Sequence, residues 1–283
     1  MYPTRLNFSF VILLFLALIL EVSCEKDFKY SGELPLNRPS IYCFLNDSDS
    51  ISKVFIKVPI TFGMDANYDS SNISDAIVNI SDGFNSFNLP FNTLYKYYSI
   101  SKKKFPIIKG NNYFLNVTTV EGNHLSGSCT IPGTQCPTYQ FKSSRDSLNF
   151  RTFDYSYNFI DSSNQDAYYL LQTYYPLVNN NDTDFNNIFQ SIPIKKDRNQ
   201  HAISYNKHVA LSVFAYSLIA YNGHSISGSG LTSSLFLIDE NVFKFYITKN
   251  ENLSSQQLLN PSPAPVFTNI NGGYGIIGSV FLK

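Results

Sequence analysis

The sequence predicts a mainly β protein made of two antiparallel β-sandwich-like domains, the first immunoglobulin-like and the second carrying one helix near Glu240–Leu258. Three observations point there. Short apolar runs of period two recur along the chain, separated by clusters of Asn, Asp, Ser, Gly and Pro. Aromatic residues make up 16% of the chain, from 24 Phe and 20 Tyr with no Trp, and both types favour strands. A single stretch, after Asp239, spaces its apolar side chains as a helix does.

Taken in order, Glu25 to Arg38 has little pattern and reads as a tether. Ile41-Tyr42-Cys43-Phe44-Leu45 is a buried strand, ended by Asn46-Asp47-Ser48-Asp49. Val54, Ile56, Val58 and Ile60 then alternate with Phe55, Lys57 and Pro59, giving a half-buried strand that Pro59 assigns to an edge or a strand end. A polar loop, Asp65–Ser74, leads to Ala76–Ile80, and the following Asp82-Gly83 is a strong hairpin signal. Tyr113–Val120 is a further strand, turned at Glu121-Gly122-Asn123 so that His124–Ile131 returns antiparallel to it. Several short strands at this spacing are what an immunoglobulin-like sandwich requires.

Beyond Pro137 the strands lengthen. Phe150–Ile160 alternates and turns at Asp161–Asn164 into Ala167–Tyr175; Asn179–Asp184 is a polar loop. Lys207–Tyr221 is the longest strand candidate, apolar on both faces and therefore expected at the centre of a sheet. Gly223–Ser234 reads as a glycine-serine loop. Asp239 can cap a helix whose apolar stripe is Val242, Phe243, Tyr246 and Ile247, with Pro261, Pro263 and Pro265 ending it. The chain finishes as an apolar strand, Ile276–Leu282. The expected organisation is 1–23 leader, 24–38 tether, 39–137 first domain and 138–283 second domain.

The leader is a cationic start containing Arg5, an apolar run Phe8–Leu20, then Glu21-Val22-Ser23-Cys24. That order is a secretory signal ending at a lipid-attachment cysteine, Cys24. Ser23 and Val22 fit the lipobox, whereas Glu21 replaces the usual leucine, which sits one place upstream as Leu20. Plain secretion and an uncleaved span are the alternatives. The span is too short, since a bilayer core takes about 20 apolar residues. Two or three acyl chains at ~0.8 kcal/mol per buried methylene hold a protein stably, so the mature chain is expected to be tethered to a membrane by its lipid rather than to span it.

The balance of 21 basic and 21 acidic side chains, with no basic block, gives no support to nucleic-acid binding. Charged residues are 15% of the chain against a usual ~25%, so amides, hydroxyls and tyrosines must wet the surface. Lipidation of Cys24 leaves Cys43, Cys129 and Cys136. A Cys129–Cys136 bridge closing a short loop is the favoured pairing, with Cys43 a buried small hydrophobe and Cys43–Cys129 the alternative.

Catalytic and cofactor chemistry is not indicated. Gly223-His224-Ser225-Ile226-Ser227-Gly228 misses the spacing of a nucleophile elbow. His201 and His208 face opposite ways on a strand; His124 and His224 are isolated. Asp47 with Asp49, and Asp182 with Asp184, supply too few oxygens for calcium. The glycines of Gly272–Gly278 are better explained by tight turns than by a phosphate loop.

The lipobox, Ile41–Leu45, Ser74–Gly83, Gly110–Val117, Thr130-Ile131-Pro132 and Asn269–Gly278 together resemble, in that order, a lipoprotein family of Bacteroidota, the domain of unknown function 4249. The resemblance covers nearly all of the mature chain. It implies an outer-membrane lipoprotein, often encoded beside a TonB-dependent receptor, and brings no catalytic residues. The expected function is therefore a binding or accessory module of a TonB-dependent uptake system, docking by β-sandwich loops and edges with affinity from Tyr-rich contacts and neutral polar groups; the candidate loops are Asp65–Ser74, Asn179–Asp184 and Gly223–Ser234. The alternatives are a structural or adhesive envelope protein with no small ligand, and an unrecognised hydrolase.

Overall fold

The computed structural model of the chain describes residues 38–58, 72–134, 136–145, 152–178, 186–210, 225–226, 231–255 and 266–282. Its strands are β1 (Ser40–Leu45), β2 (Ile51–Lys57), β3 (Ile77–Ser81), β4 (Ser86–Asn88), β5 (Phe91–Asn92), β6 (Tyr97–Ser101), β7 (Asn112–Thr118), β8 (His124–Thr130) and β9 (Tyr139–Arg145). They continue as β10 (Thr152–Ile160), β11 (Ala167–Val178), β12 (Asn186–Lys196), β13 (Ala202–Ala210), β14 (Ser225–Ile226), β15 (Thr232–Ile238) and β16 (Tyr274–Leu282). Among the described residues one helix, α1 (Glu240–Ser255), stands between the last two. The all-β expectation holds.

The strands form a long sheet in the order β12-β11-β15-β16-β1-β2-β6-β5, with β14 on β11, and two smaller sheets, β4-β3-β7-β8 and β13-β10-β9. Every pairing is antiparallel except β1 with β16, which run parallel from Ser40↔Tyr274 to Leu45↔Ser279. Alternation sends Ile41, Cys43, Val54 and Ile56 of the long sheet into one buried cluster with Val78, Ile80, Leu115 and Val117 of the four-stranded sheet. Phe153, Tyr155, Tyr157 and Phe159 of β10 join the same cluster beside Tyr169, Leu171, Leu235 and Leu237. A second cluster joins Leu170, Ile238 and Ile276 of the long sheet to Val242 and Phe243 of α1. Thus β16 feeds Ile277 and Phe281 to the first cluster and Ile276 and Val280 to the second.

That strand crosses the expected division at residue 137: β16 lies between β1 and β15, and Asn37–Lys283 forms one compact unit. Its backbone approaches are tight. A Cβ on Gly275, whose φ is +102°, would meet the Ile41 carbonyl oxygen at 1.9 Å, and one on Gly278 would meet Val242 Cγ2 at 2.3 Å. Both lie inside a strand, so close packing of β1 and α1 rather than a turn explains these glycines.

Several expected elements fall where the sequence puts them. The Asp82-Gly83 hairpin joins β3 to β4, and Asp82 Oδ1 accepts the amides of Phe84 at 3.0 Å and Asn85 at 2.7 Å. Helix α1 starts where expected, with Asp239 Oδ1 accepting the Val242 amide at 2.9 Å. Residues 256–258 of that expected helix, and Pro59, lie outside the described residues. Lys207–Tyr221 is a correction. Its described part belongs to β13 at an edge of the three-stranded sheet, and 211–221 lie outside the described residues. The expected loop Gly223–Ser234 is also partly strand, through β14 and the first residues of β15.

Buried and half-buried tyrosines tie loops and sheets together through their hydroxyls. Tyr98 accepts the Ala76 amide at 2.9 Å; Tyr113 accepts the Ile108 amide at 2.7 Å and donates to the Pro106 carbonyl at 3.1 Å. Tyr139 donates to the Ser233 carbonyl at 2.7 Å and Tyr155 to Gln190 Oε1 at 3.0 Å, both from the small sheet to the long one. At the β10–β11 crossover, fully buried Lys196 donates to Ser163 O (2.6 Å), Ser163 Oγ (3.1 Å) and Gln165 O (3.1 Å), and lies 3.3 Å from Asp161 Oδ2. Tyr169 donates to the same Asp161 oxygen. Burial opposes ionisation of Asp161, yet the bonds from Tyr169, Ser163 and Lys196 hold its carboxyl below the usual range.

Two substitutions test this frame. Gly275→Ala should lower unfolding free energy by about 3 kcal/mol or abolish folding, because a methyl there meets backbone on the partner strand. Lys196→Met should cost roughly 3 kcal/mol in urea unfolding, since it leaves the half-buried Asp161 carboxylate without its cation. A loss below about 0.5 kcal/mol in either would refute the assignment.

Candidate functional site

The outward side of the four-stranded sheet is the most distinctive surface. Register sets Asn88, Asn79, Asn116 and Ser126 side by side on four successive strands, and an isolated bridge extends the row to Asn271. Backbone bonds in both directions, 3.1 Å and 2.7 Å, fix Asn271 against Ser126. The neighbouring row is Ser86, Ser81, Phe114 and Ser128. Neither row contains an ionisable side chain. Phe114 is 43% exposed, and Phe84, on the turn beside it, is 94% exposed. A shallow cavity of about 490 Å³ is not here but on the outer side of the three-stranded sheet, lined by Lys142, Asp154, Ser156 and Asn206. The amide row borders a second, of about 480 Å³, with Asn269 at its rim. Asn269 is fully engaged: its Nδ2 donates to Ser128 O (3.0 Å) and Ile277 O (2.8 Å), and its Oδ1 accepts the Ile277 amide (3.0 Å).

A smaller crevice of about 180 Å³ opens at the start of α1, lined by Thr130, Gln165, Asp166, Tyr168, Asp239 and Glu240. Asp239 is 6% exposed, and its Oδ2 has no hydrogen-bond partner. Burial pushes its carboxyl up to about 7, against the opposing pull of the Val242 and Ser279 backbone bonds.

The site residues expected from sequence fare as follows. Cys24 lies outside the described residues. Cys129 and Cys136 are thiols, not a bridge: Cys129 is buried in β8 with its thiol pushed well up by desolvation, while Cys136 Sγ donates to the Leu235 carbonyl at 3.4 Å. Cys43 is a buried thiol pushed to about 12 by burial. Asp47 lies 3.7 Å from Lys109 Nζ, and Asp49 accepts from Asn46 Nδ2 at 3.4 Å, so both serve the β1–β2 turn. His124 contacts Thr118 Oγ1 through Nδ1 at 3.2 Å, and His201 is exposed. Of the candidate loops, 65–71, 179–184, 223–224 and 227–230 lie outside the described residues. The expected tyrosine-rich contact surface is corrected in part: Tyr98, Tyr113, Tyr155, Tyr157 and Tyr169 are buried. Sequence reading missed the amide row, because its members are scattered from 79 to 271 and only strand register aligns them.

The Asp239 carboxyl makes a pH-dependent prediction. Its folded value of about 7 exceeds the unfolded value of about 3.9, so the native state holds the extra proton between them. Its contribution is full below about pH 4 and declines as pH rises toward 7, by on the order of a few kcal/mol. Asp239→Asn keeps an N-cap acceptor and should flatten this slope and stabilise the protein at pH 8. Unfolding curves from pH 4 to 8 that run parallel in the two proteins would refute it.

No curated protein matches the chain. Among solved structures it is similar to dimeric latent PorU from Porphyromonas gingivalis, at 12% identity and a TM-score of 0.22, covering 90% of this chain and 21% of that one. It is also similar to the chitinase ChiA74 from Bacillus thuringiensis, at 11% identity and a TM-score of 0.18, covering 63% of this chain and 28% of that one. The chain thus spans under a third of either structure, and likenesses this slight carry no argument. Its sequence matches the profile of the domain of unknown function family DUF4249 over residues 25–280, and the chain belongs to that family.

Proposed function

We propose that this chain is an outer-membrane lipoprotein held by Cys24 that serves as a binding or accessory module of a TonB-dependent uptake system. The observation that supports the anchor is the family match, which begins at residue 25, directly after Cys24. The leader reads as an export signal on independent grounds, and its lipobox ends at the same cysteine.

Binding is the activity that the exposed surfaces favour. The outer sides of both small sheets present hydroxyl and amide groups on strands whose backbones are paired, so their positions are set before a partner arrives. Contact with a ligand or a receptor is made there and in the loops, through neutral groups on the four-stranded sheet and with Lys142 and Asp154 added on the three-stranded one.

Two measurements check this. Mass spectrometry of the native N-terminus should find a diacylglyceryl thioether and an N-acyl group on Cys24, and Cys24→Ala should move the protein into the soluble fraction. Detergent extraction and affinity capture under ligand-inducing conditions should recover a TonB-dependent receptor. A bare N-terminus defeats the anchor, and capture that yields no receptor counts against docking.

A further inference from the structure

We infer that the outer side of the four-stranded sheet is a binding face for a neutral glycan chain, an inference that rests on the reading of this protein as a binding module. The row Asn88, Asn79, Asn116, Ser126 and Asn271 repeats at the strand spacing of ~4.8 Å, close to the length of one pyranose unit in an extended chain. Each free amide offers both a donor and an acceptor, which is what a hydroxyl needs. Three of the five members, Asn88, Asn116 and Asn271, are exposed, and the other two are half-buried, so the row faces solvent.

Phe114 lies in the adjacent row at 43% exposure, and a methyl on Gly83 would come within 3.8 Å of its Cε2. The hairpin turn therefore flanks the ring and carries Phe84, almost wholly exposed, at its tip. An exposed phenyl on a polar sheet gives the C–H edges of a sugar ring an apolar surface to lie on. The charge pattern selects the ligand class. With no cation or anion in either central row, those rows have nothing to neutralise an acidic polysaccharide, a phosphate or a basic peptide, and the ionisable group in the next row, His124, is bonded to Thr118 Oγ1. A neutral polyhydroxylated chain meets both the amides and the phenyls and leaves no charge unpaired. The face is also rigid, because Asn269 and Asn241 clamp the Ser128 carbonyl from outside the sheet.

The test is affinity electrophoresis of the full-length protein extracted from membranes. Native gels would contain xyloglucan, galactomannan, laminarin or amylopectin, with polygalacturonate as the acidic control. Wild type should be retarded in at least one neutral gel, to the same extent with and without added salt. Phe114→Ala and Asn116→Ala should each weaken retardation about fivefold or more. Lys103→Ala, on an exposed turn away from the face, should leave it unchanged, and melting curves verify that every variant folds. Retardation by polygalacturonate alone, equal retardation of wild type and both face variants, or none in any neutral gel overturns the proposal. Receptor capture from the same extract is scored separately. Receptor lost with retardation intact defeats the uptake reading and leaves this one standing; receptor lost in the face variants with no glycan retardation makes the face a protein interface and overturns it.

Discussion

One strand with neighbours on every side holds this protein together. β16 pairs with β15 on one edge and β1 on the other, carries the sandwich core beneath it and seats α1 above. A strand buried on both faces has no solvent side, which is why Ile276, Ile277, Val280 and Phe281 appear as a run rather than an alternation. Such crowding leaves no volume for side chains at the closest approaches, and Gly275 and Gly278 meet that need. The parallel pairing also puts the first and last strands side by side. The Tyr274 amide reaches the Pro39 carbonyl at 3.0 Å, so the residue before β1 is held by the first residue of β16.

Two buried ionisable side chains, Lys196 and Asp239, show how differently the fold treats charge. Lys196 enters the interior with four oxygen partners and links β12 to the crossover between layers. Such satisfaction offsets desolvation and makes the site a fastener whose loss leaves Asp161 stranded. Asp239 is only half satisfied: one oxygen caps α1 and the other has no partner. The helix dipole and cap bonds favour the anion, but burial outweighs them, and the carboxyl moves toward neutrality. Lys196 therefore fixes architecture, whereas Asp239 makes the helix docking sensitive to proton concentration.

Local signals carried much of the fold. The Asp82-Gly83 turn, the Glu121–Asn123 turn and the Asp239 cap each act within a few residues, so each was legible. The pairing of β1 with β16 was not, since period-two alternation tells which face is buried and never names the neighbour. The glycines of β16 misled for a related reason: composition cannot separate a turn from a close approach 230 residues away. β9 and β12 were passed over because Gln140, Lys142 and Ser144, or Gln190 and Ser191, dilute their apolar residues. The amide row was invisible until register assembled it.

That row also bears on composition. A chain with 15% charged residues must stay wet by other means, and placing amides and hydroxyls on exposed sheet faces does so. Amides on strands differ from amides on loops in one respect that matters for recognition. Their Cβ positions are set by the ladder, so a ligand pays only for side-chain rotamers. Asn79 and Asn116 sit on interior strands of their sheet, where backbone motion is smallest; Asn271 gains the same fixity from paired bonds to Ser126. A neutral surface gives no long-range steering, so its affinity must come from many short contacts made at once. Such contacts add up only on a scaffold that does not yield, and the doubly buried β16 behind β8 supplies that stiffness.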